Sequence, residues 1–315
     1  MIPNHDVHVH NFLSDCSHDG FSTVENYIKY AKAEGLSLIG MANHTWDESI
    51  PLPYTTDGWA PEFYRHQSFS YEWQSKYEIP KEIDGLKILM GAETEYCGMY
   101  DVLGMGKEAA LKLDFLLIPH THVHMRNFTM ARYPDIDAAQ RNLEKILLEN
   151  VPHMTPAVAR RMALGMPENE LDPYMVGEKI DYIRFVADFM VDSFRSLMNN
   201  ETLKSYSDLI PVSVAHPFAP VCTPGGQQML ELISDETFGE LFSMAAKRGI
   251  GLEINPGTGT PGFFRMFGVA KECGCQFTLG SDTHSCGGFK GIQRTKACTD
   301  YLGLTQDNMM EFTRT

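Results

Sequence analysis

Histidines and carboxylates recur along this chain in places where apolar runs stop. Near its start, Asp6-Val7-His8-Val9-His10 alternates polar and apolar residues, the period of a strand with one buried face. His8 and His10 then point the same way, about 7 Å apart along the strand, close enough to reach one metal ion. By itself H-x-H is a weak signal, because so short a motif recurs by chance. Further along, LSLIGMAN ends at His44, LKILMGA at Glu93 and IPVSVA at His216-Pro217. FLLIP runs into His120-Thr121-His122-Val123-His124, and CQFTLGS ends at Asp282-Thr283-His284. Taken singly, a strand-end histidine caps backbone groups more often than it binds metal, and an aspartate there can cap a helix. Taken jointly, one ligand-type residue after nearly every strand calls for another explanation. Packed together without metal, these imidazoles would leave many ring nitrogens unsatisfied. A mixed His/Asp/Glu set suits Zn, Mn or Fe, and eight such residues are too many for one ion but fit two or three.

Something must bring residues from positions 8 to 284 together. Three segments share a phrase in which a lysine-bearing helix end runs into glycine and then an apolar strand. They are AKAEG before LSLIGMA, AKRG before IGLEIN and AKECG before CQFTLGS. Glycine is the favoured stop after a last helical turn, and lysine there complements the helix dipole. Ser22-Thr23-Val24-Glu25 reads as a capping box opening the first of these helices. With LKILMGA (86–92), FLLIP (115–119) and IPVSVA (210–215), the rhythm is that of parallel α/β units. In a closed parallel barrel the C-terminal strand ends converge on one face, and the ligand-type residues would converge with them.

The rhythm breaks between about 125 and 208, where MTPAVARRMALG and GEKIDYIRFVADFMVDSFRSLM read as helices with no convincing strand between them. The segment reads as a helical insertion in a single 1–315 domain, because strands resume afterwards. Ile180, Ile183, Phe185, Val186, Phe189, Met190 and Phe194 crowd the second helix too densely for a solvated lid. They require burial against other helices or against a second subunit, which makes a homo-oligomer an expectation. Both ends of the insertion adjoin strand-end histidines, so it is expected to roof the pocket and restrict access to small substrates.

Composition narrows the class. With 43% hydrophobic and 21% charged residues the chain reads as an ordinary soluble globular protein. No apolar run approaches the ~20 residues of a membrane span, and no signal peptide is evident. Seven scattered cysteines, an odd number, read as reduced thiols of a cytoplasmic protein, with Cys273-Gly-Cys275 as small buried residues rather than a redox pair. A formal charge of −15 argues against nucleic acid and anionic membranes as partners, without excluding a small anionic substrate. Part of that charge would be neutralised by bound dications.

With these pieces in hand, the chain resembles the polymerase and histidinol phosphatase (PHP) family. The resemblance rests on D-V-H-V-H at 6–10, M-A-N-H at 41–44, G-A-E at 91–93, the histidines at 120–124, A-H-P at 215–217, L-E-I-N at 252–255 and G-S-D-T-H at 280–284. It implies a distorted (β/α)7 TIM-like barrel with a trinuclear metal centre acting on phosphoesters. Carried over, His8 and His10 match the opening pair, His44 the second-strand histidine and Glu93 the bridging glutamate. His216 matches the A-H-P histidine, and Asp282 and His284 the closing pair. Asn43 stands where the family usually has aspartate. Asp15 is the choice for the ligand after H-x-H, with His18 as its rival. At the fourth strand His120 and His122 are both open, and His122 is favoured because the chain needs a residue or two to leave FLLIP.

The chemistry implied is hydrolysis of a phosphate monoester, with dications acidifying water and neutralising phosphoryl oxygens, and His8, His10, Glu93 and Asp282 at its centre. The sequence has no G-x-S-x-G and no P-loop to suggest another route. Arg265, after L-E-I-N and a glycine-rich turn, resembles the phosphate-binding arginine of histidinol-phosphatase-like members, and Arg126 is the second candidate. Two other readings stand beside the phosphomonoesterase. One is a related enzyme acting on nucleotides, oligonucleotides or phosphotyrosine, and the other is a non-catalytic metal-binding scaffold.

Overall fold

The computed structural model describes residues 3–14, 17, 21–51, 69–70, 75–76, 78–98, 101–121, 134–166, 170–171, 182–219 and 226–314. Seven strands lie side by side in the order of the sequence: β1 (His5–Val9), β2 (Leu38–Met41), β3 (Leu86–Glu93), β4 (Phe115–Pro119), β5 (Val212–Ala215), β6 (Gly251–Ile254) and β7 (Phe277–Leu279). Every neighbouring pair along this path is parallel. Each falls on an apolar run expected to be a strand. The helices around them are α1 (Val24–Ala33), α2 (Lys107–Ala110), α3 (Pro134–Asn150), α4 (Pro156–Leu164), α5 (Tyr182–Asn199), α6 (Glu201–Tyr206), α7 (Gly226–Leu232), α8 (Asp235–Lys247), α9 (Pro261–Glu272) and α10 (Lys296–Tyr301). Among the described residues no helix is long and apolar enough to cross a membrane.

The glycines of the repeated phrase act as stops. Gly35, Gly249 and Gly274, after α1, α8 and α9, all have left-handed φ angles of 75°, 66° and 83°. The capping expectation needs moving by one residue. Thr23, not Ser22, is the N-cap of α1, its side chain accepting from Asn26 N–H. Ser22 is held in the preceding loop, where its carbonyl accepts from Phe12 N–H at 3.0 Å.

The barrel is nearly closed. β1 and β7 share no ladder, and a single bridge joins Val9 of β1 to Thr283 in the segment after β7. Around it His10 N–H donates to Thr283 O at 2.9 Å, Leu279 N–H to His5 Nε2 at 3.1 Å and Ser281 N–H to Asp6 Oδ1 at 2.9 Å. Side chains thus replace part of the missing ladder, and buried backbone donators on this seam keep acceptors.

Inside the barrel Val7, Leu38, Ala42, Leu89, Phe115, Leu117 and Ala215 form their own apolar cluster, separate from the larger core between strands and helices. Phe115 is its centre. A Cβ at Gly40 or Gly91 would fall 2.6 or 2.4 Å from that ring, so the two glycines make the room it occupies. Phe312 from the C-terminal segment stacks on it with ring centroids 5.4 Å apart.

β1 departs from simple alternation. His5 pairs with Leu38, Asp6 with Ile39 and Val9 with Met41, so three residues of β1 advance against two of β2. This bulge puts Val7 in the interior cluster and Val9 in the outer core, where strict alternation would give them one face. His8 and His10 both still reach the mouth.

In the expected insertion, α3 packs on α4, and α5 packs along α6, α7 and α8. Phe185, Val186, Phe189, Met190 and Phe194 of α5 are buried and Ile183 is partly so, within this one chain. Helix-on-helix burial is therefore the half of the expectation that the structure meets, and the apolar face of α5 needs no second subunit. Of the 125–208 segment expected to roof the pocket, residues 125–133, 167–169 and 172–181, Ile180 among them, lie outside the described residues.

Candidate metal centre

The upper layer of the interior is polar and almost fully buried. His8, His10 and Glu93 are at most 1% exposed and His216 is 6% exposed, whereas Asp282 and His284 at the rim have side chains 36% and 37% exposed. β1 delivers His8 and His10, the end of β2 delivers His44, and β3 ends on Glu93, bridged to His44. His216 follows β5, and Asp282 and His284 follow β7. His216 and Asp282 have positive φ angles of 30° and 55°, strained for side-chain-bearing residues, which turn the chain back over the strand ends.

The donor atoms converge. His8 Nε2 and His10 Nε2 are 3.1 Å apart, and Asp282 Oδ1 is 3.4 Å from the first and 3.1 Å from the second. Glu93 Oε2 lies 3.0 Å from His44 Nδ1 and 3.5 Å from both His8 Nε2 and His10 Nε2, and Glu93 Oε1 lies 3.2 Å from His216 Nε2. The rings of His10 and His284 stack at 4.3 Å. Two groups bring one donor atom per residue within 4.8 Å of each other: His8, His10 and Asp282, and His10, His44 and His284.

Neighbouring bonds choose which nitrogen of each ring faces inward. His8 Nδ1–H donates to Glu253 Oε1 at 2.8 Å, and His284 Nδ1–H donates to the Asp282 carbonyl at 2.9 Å. In the neutral rings this leaves Nε2 as a lone pair, the state a metal ligand needs. Thr121 Oγ1 lies 2.7 Å from His216 Nδ1. The backbone carbonyl of His10 is held by Tyr27 Oη–H at 2.5 Å and Ser17 Oγ–H at 2.9 Å. Asn43 Oδ1 accepts from Asn11 N–H at 2.8 Å, tying the end of β2 to the loop after β1, a task for which its amide serves as well as a carboxylate.

The electrostatics set buried carboxylates against buried imidazoles. Burial alone would raise Glu93, but His8 and His44 beside it hold its carboxyl well below the usual range. Asp282 is likewise lowered against its burial, chiefly by His8 and His10. Burial would depress His8, and the carboxylates of Glu253, Glu93 and Asp282 overcome it, raising the ring well above its ordinary value. His10 goes the other way: burial, with His44 nearby, pushes it down to about 3, so it is neutral at physiological pH. Glu93 Oε2 is buried with ring nitrogens around it and no well-aimed hydrogen bond. Imidazole nitrogens and two ionised carboxylates pointing into one buried volume fit divalent cations.

Asp15, His18, His122 and Arg126 lie outside the described residues. His120 is described: its Nε2 accepts from Phe218 N–H at 3.1 Å, and its ring packs edge-on against Phe194 and Phe218. That nitrogen serves the backbone. Arg265, expected at a phosphate, instead donates to Asp235 Oδ1 at 2.6 Å and to the carbonyls of Leu230 and Ile233, over the ring of Phe238. The guanidinium clamps α9 to α7 and α8, because the carbonyls at the end of α7 offer it acceptors there. Glu253 is the residue whose role sequence reasoning missed, although L-E-I-N shows a carboxylate between two apolar residues on a buried strand.

Comparison with known proteins supports the fold. No family profile matches the chain, and no curated protein matches it. Among solved structures, a protein of Listeria monocytogenes provisionally named a histidinol phosphatase superposes with a TM-score of 0.54 and 14% identity, covering 90% of this chain and 96% of that one. A histidinol phosphate phosphatase from Lactococcus lactis, solved with zinc, L-histidinol and phosphate, gives a TM-score of 0.49 at 14% identity over 97% of this chain and 95% of that one. The fold is thus a TIM-like barrel of seven parallel strands with its candidate metal residues at the C-terminal mouth.

Proposed function

We propose that this chain is a metal-dependent phosphoesterase, a phosphomonoesterase of histidinol-phosphatase type acting on a small phosphorylated metabolite. The observation that carries the reading is the convergence of His8, His10, His44, Glu93, His216, Asp282 and His284 at one barrel mouth. These residues would hold two or three divalent ions, Zn, Mn or Fe, with Asp15 and His122 completing the set. Such ions supply Lewis acidity toward phosphoryl oxygens and bring the pKa of water toward neutrality. The chain's own part is to hold the donors still. Glu253 and the Asp282 carbonyl fix the ring nitrogens of His8 and His284, and Glu93 faces His8, His10, His44 and His216 at once. Asp282 and His284, the partly exposed members, mark the side from which a substrate enters. Arg126, the second candidate, is proposed to meet a phosphate, since Arg265 is engaged between helices.

The test is elemental analysis of the native protein followed by phosphate release from histidinol phosphate, p-nitrophenyl phosphate, a dinucleotide and a phosphotyrosine peptide. The expected result is tightly bound divalent metal and chelator-sensitive turnover of the small monoesters. Metal without turnover of any phosphoester would favour the scaffold, and preference for the dinucleotide or peptide would move the substrate class.

A further inference from the structure

We infer that Glu253 is a positioning residue that sets His8 and His216 together, one carboxylate spanning two strands of the barrel. The inference rests on the reading of these histidines as metal ligands and adds a residue from outside the converging set. Glu253 is fully buried on β6, and its two oxygens have different tasks. Oε1 accepts from His8 Nδ1–H at 2.8 Å and Oε2 accepts from the backbone N–H of His216, also at 2.8 Å. The first bond selects the tautomer of His8 in which Nε2 is the lone pair facing Glu93 and Asp282. The second holds the peptide of His216, whose φ of 30° is an unfavourable conformation that surrounding contacts must maintain. That conformation directs Nε2 of His216 to within 3.2 Å of Glu93 Oε1.

Gly280 belongs to the same device. A Cβ built on it would stand 1.8 Å from Glu253 Oε1 and 2.5 Å from His8 Cβ. Any side chain there would push the carboxylate off His8, which gives the glycine of G-S-D-T-H a steric reason. Glutamine at 253 is nearly isosteric yet cannot replace the carboxylate. Its one carbonyl serves a single donor, and its amide would face the other donor with a second N–H.

The experiment uses the full chain as wild type, Glu253→Gln and Gly280→Ala. Nitrogen-15 NMR of the histidine rings in zinc-loaded protein reads the His8 tautomer, and chelator competition reads zinc affinity. The expected result is a Nδ1–H tautomer at His8 in wild type that is lost or mixed in Glu253→Gln, with zinc held about 10- to 100-fold more weakly. Gly280→Ala, which keeps the Glu253 carboxylate but pushes it off His8, should shift both readings the same way, and serves if Glu253→Gln fails to fold. Unchanged tautomer and zinc affinity in a folded variant would overturn the inference. If wild type binds zinc with His8 so oriented but hydrolyses no phosphoester, the functional reading fails and the positioning role stands.

Discussion

The Nε2 atoms of His8 and His10 face each other across 3.1 Å in a fully buried site. Two neutral lone pairs at that distance repel unless a cation or a proton lies between them. The two rings behave oppositely, His8 raised by the carboxylates around it and His10 lowered by burial to about 3. A metal ion resolves the repulsion for both. Replacing either ring by alanine is therefore expected to leave the barrel folded, because the apolar plug around Phe115 lies in a separate cluster. Metal content should fall, and phosphate release with it, by on the order of 100-fold or more, as loss of a group acting through the metals implies. Elemental analysis and turnover of p-nitrophenyl phosphate measure both. Near-wild-type turnover with full metal content in either variant would end the central reading.

His5, next to this pair in sequence, works in the seam. Burial pushes its ring down to about 3, and its Nε2 accepts from Leu279 N–H. In the unfolded chain the ring takes a proton below about 6.5, whereas the folded chain refuses it until about 3. The unfolded state thus binds more protons in that window, and stability falls as pH drops from 6.5 toward 3. His5→Gln keeps an acceptor for Leu279 N–H and removes the titration. Melting curves of chelated protein between about pH 4 and 8 should show a shallower acid-side loss in this variant, with His10 still contributing its share. An unchanged slope would mean that His5 is not the buried acceptor closing the barrel.

The parts of this molecule that the sequence made legible are those set by local chemistry. Gly35, Gly249 and Gly274 stop helices wherever they sit, and the apolar runs at 38–41, 86–93, 212–215 and 277–279 form strands that end at or shortly before His44, Glu93, His216 and Asp282. The bulge in β1 was not legible, because it is fixed by the register against β2 and both valines look alike in the sequence. Nor was the bond of Glu253 to His8, whose partners are 245 residues apart. Arg265 shows the same limit from the other side. Its residue type suits a phosphate, but the acceptors at the end of α7 and Asp235 claim it, and only the packing of three helices brings those together.

Arg265→Ala accordingly separates two roles. A phosphate-binding arginine would raise KM or lower kcat on removal with little effect on folding. A clamp would do the reverse. The structure predicts a loss of ~1–3 kcal/mol, because the carbonyl of Ile233 loses its side-chain donor and that of Leu230 keeps only Ile233 N–H. The ion pair with Asp235 adds little, since the Asp235 side chain is well exposed and that of Arg265 partly so. Kinetic constants for a small monoester should stay within about twofold, a difference below 0.5 kcal/mol. Urea denaturation and steady-state kinetics on one preparation decide it, and a large rise in KM at unchanged stability would restore the arginine to the substrate site.

The choice between His120 and His122 can be settled the same way. His120 Nε2 accepts from Phe218 N–H, and Phe218 has a φ of 55°, so the ring stabilises a strained turn two residues beyond His216. Ser193 of α5 donates to the His120 carbonyl at 2.8 Å, and Phe194 of the same helix packs on the ring, tying the end of β4 to the outer layer. His120→Ala would leave a buried N–H without an acceptor and open a space among aromatic rings. It is expected to cost ~2–5 kcal/mol in stability, the lost bond and the cavity together, while the metals remain. His120→Asn offers a shorter side-chain acceptor and should recover part of that loss. His122→Ala, by contrast, is expected to release metal at little cost to the apolar core. Denaturation midpoints and metal content of the three variants form a complete test. Metal loss from His120→Ala with stability intact, and none from His122→Ala, would exchange the two assignments.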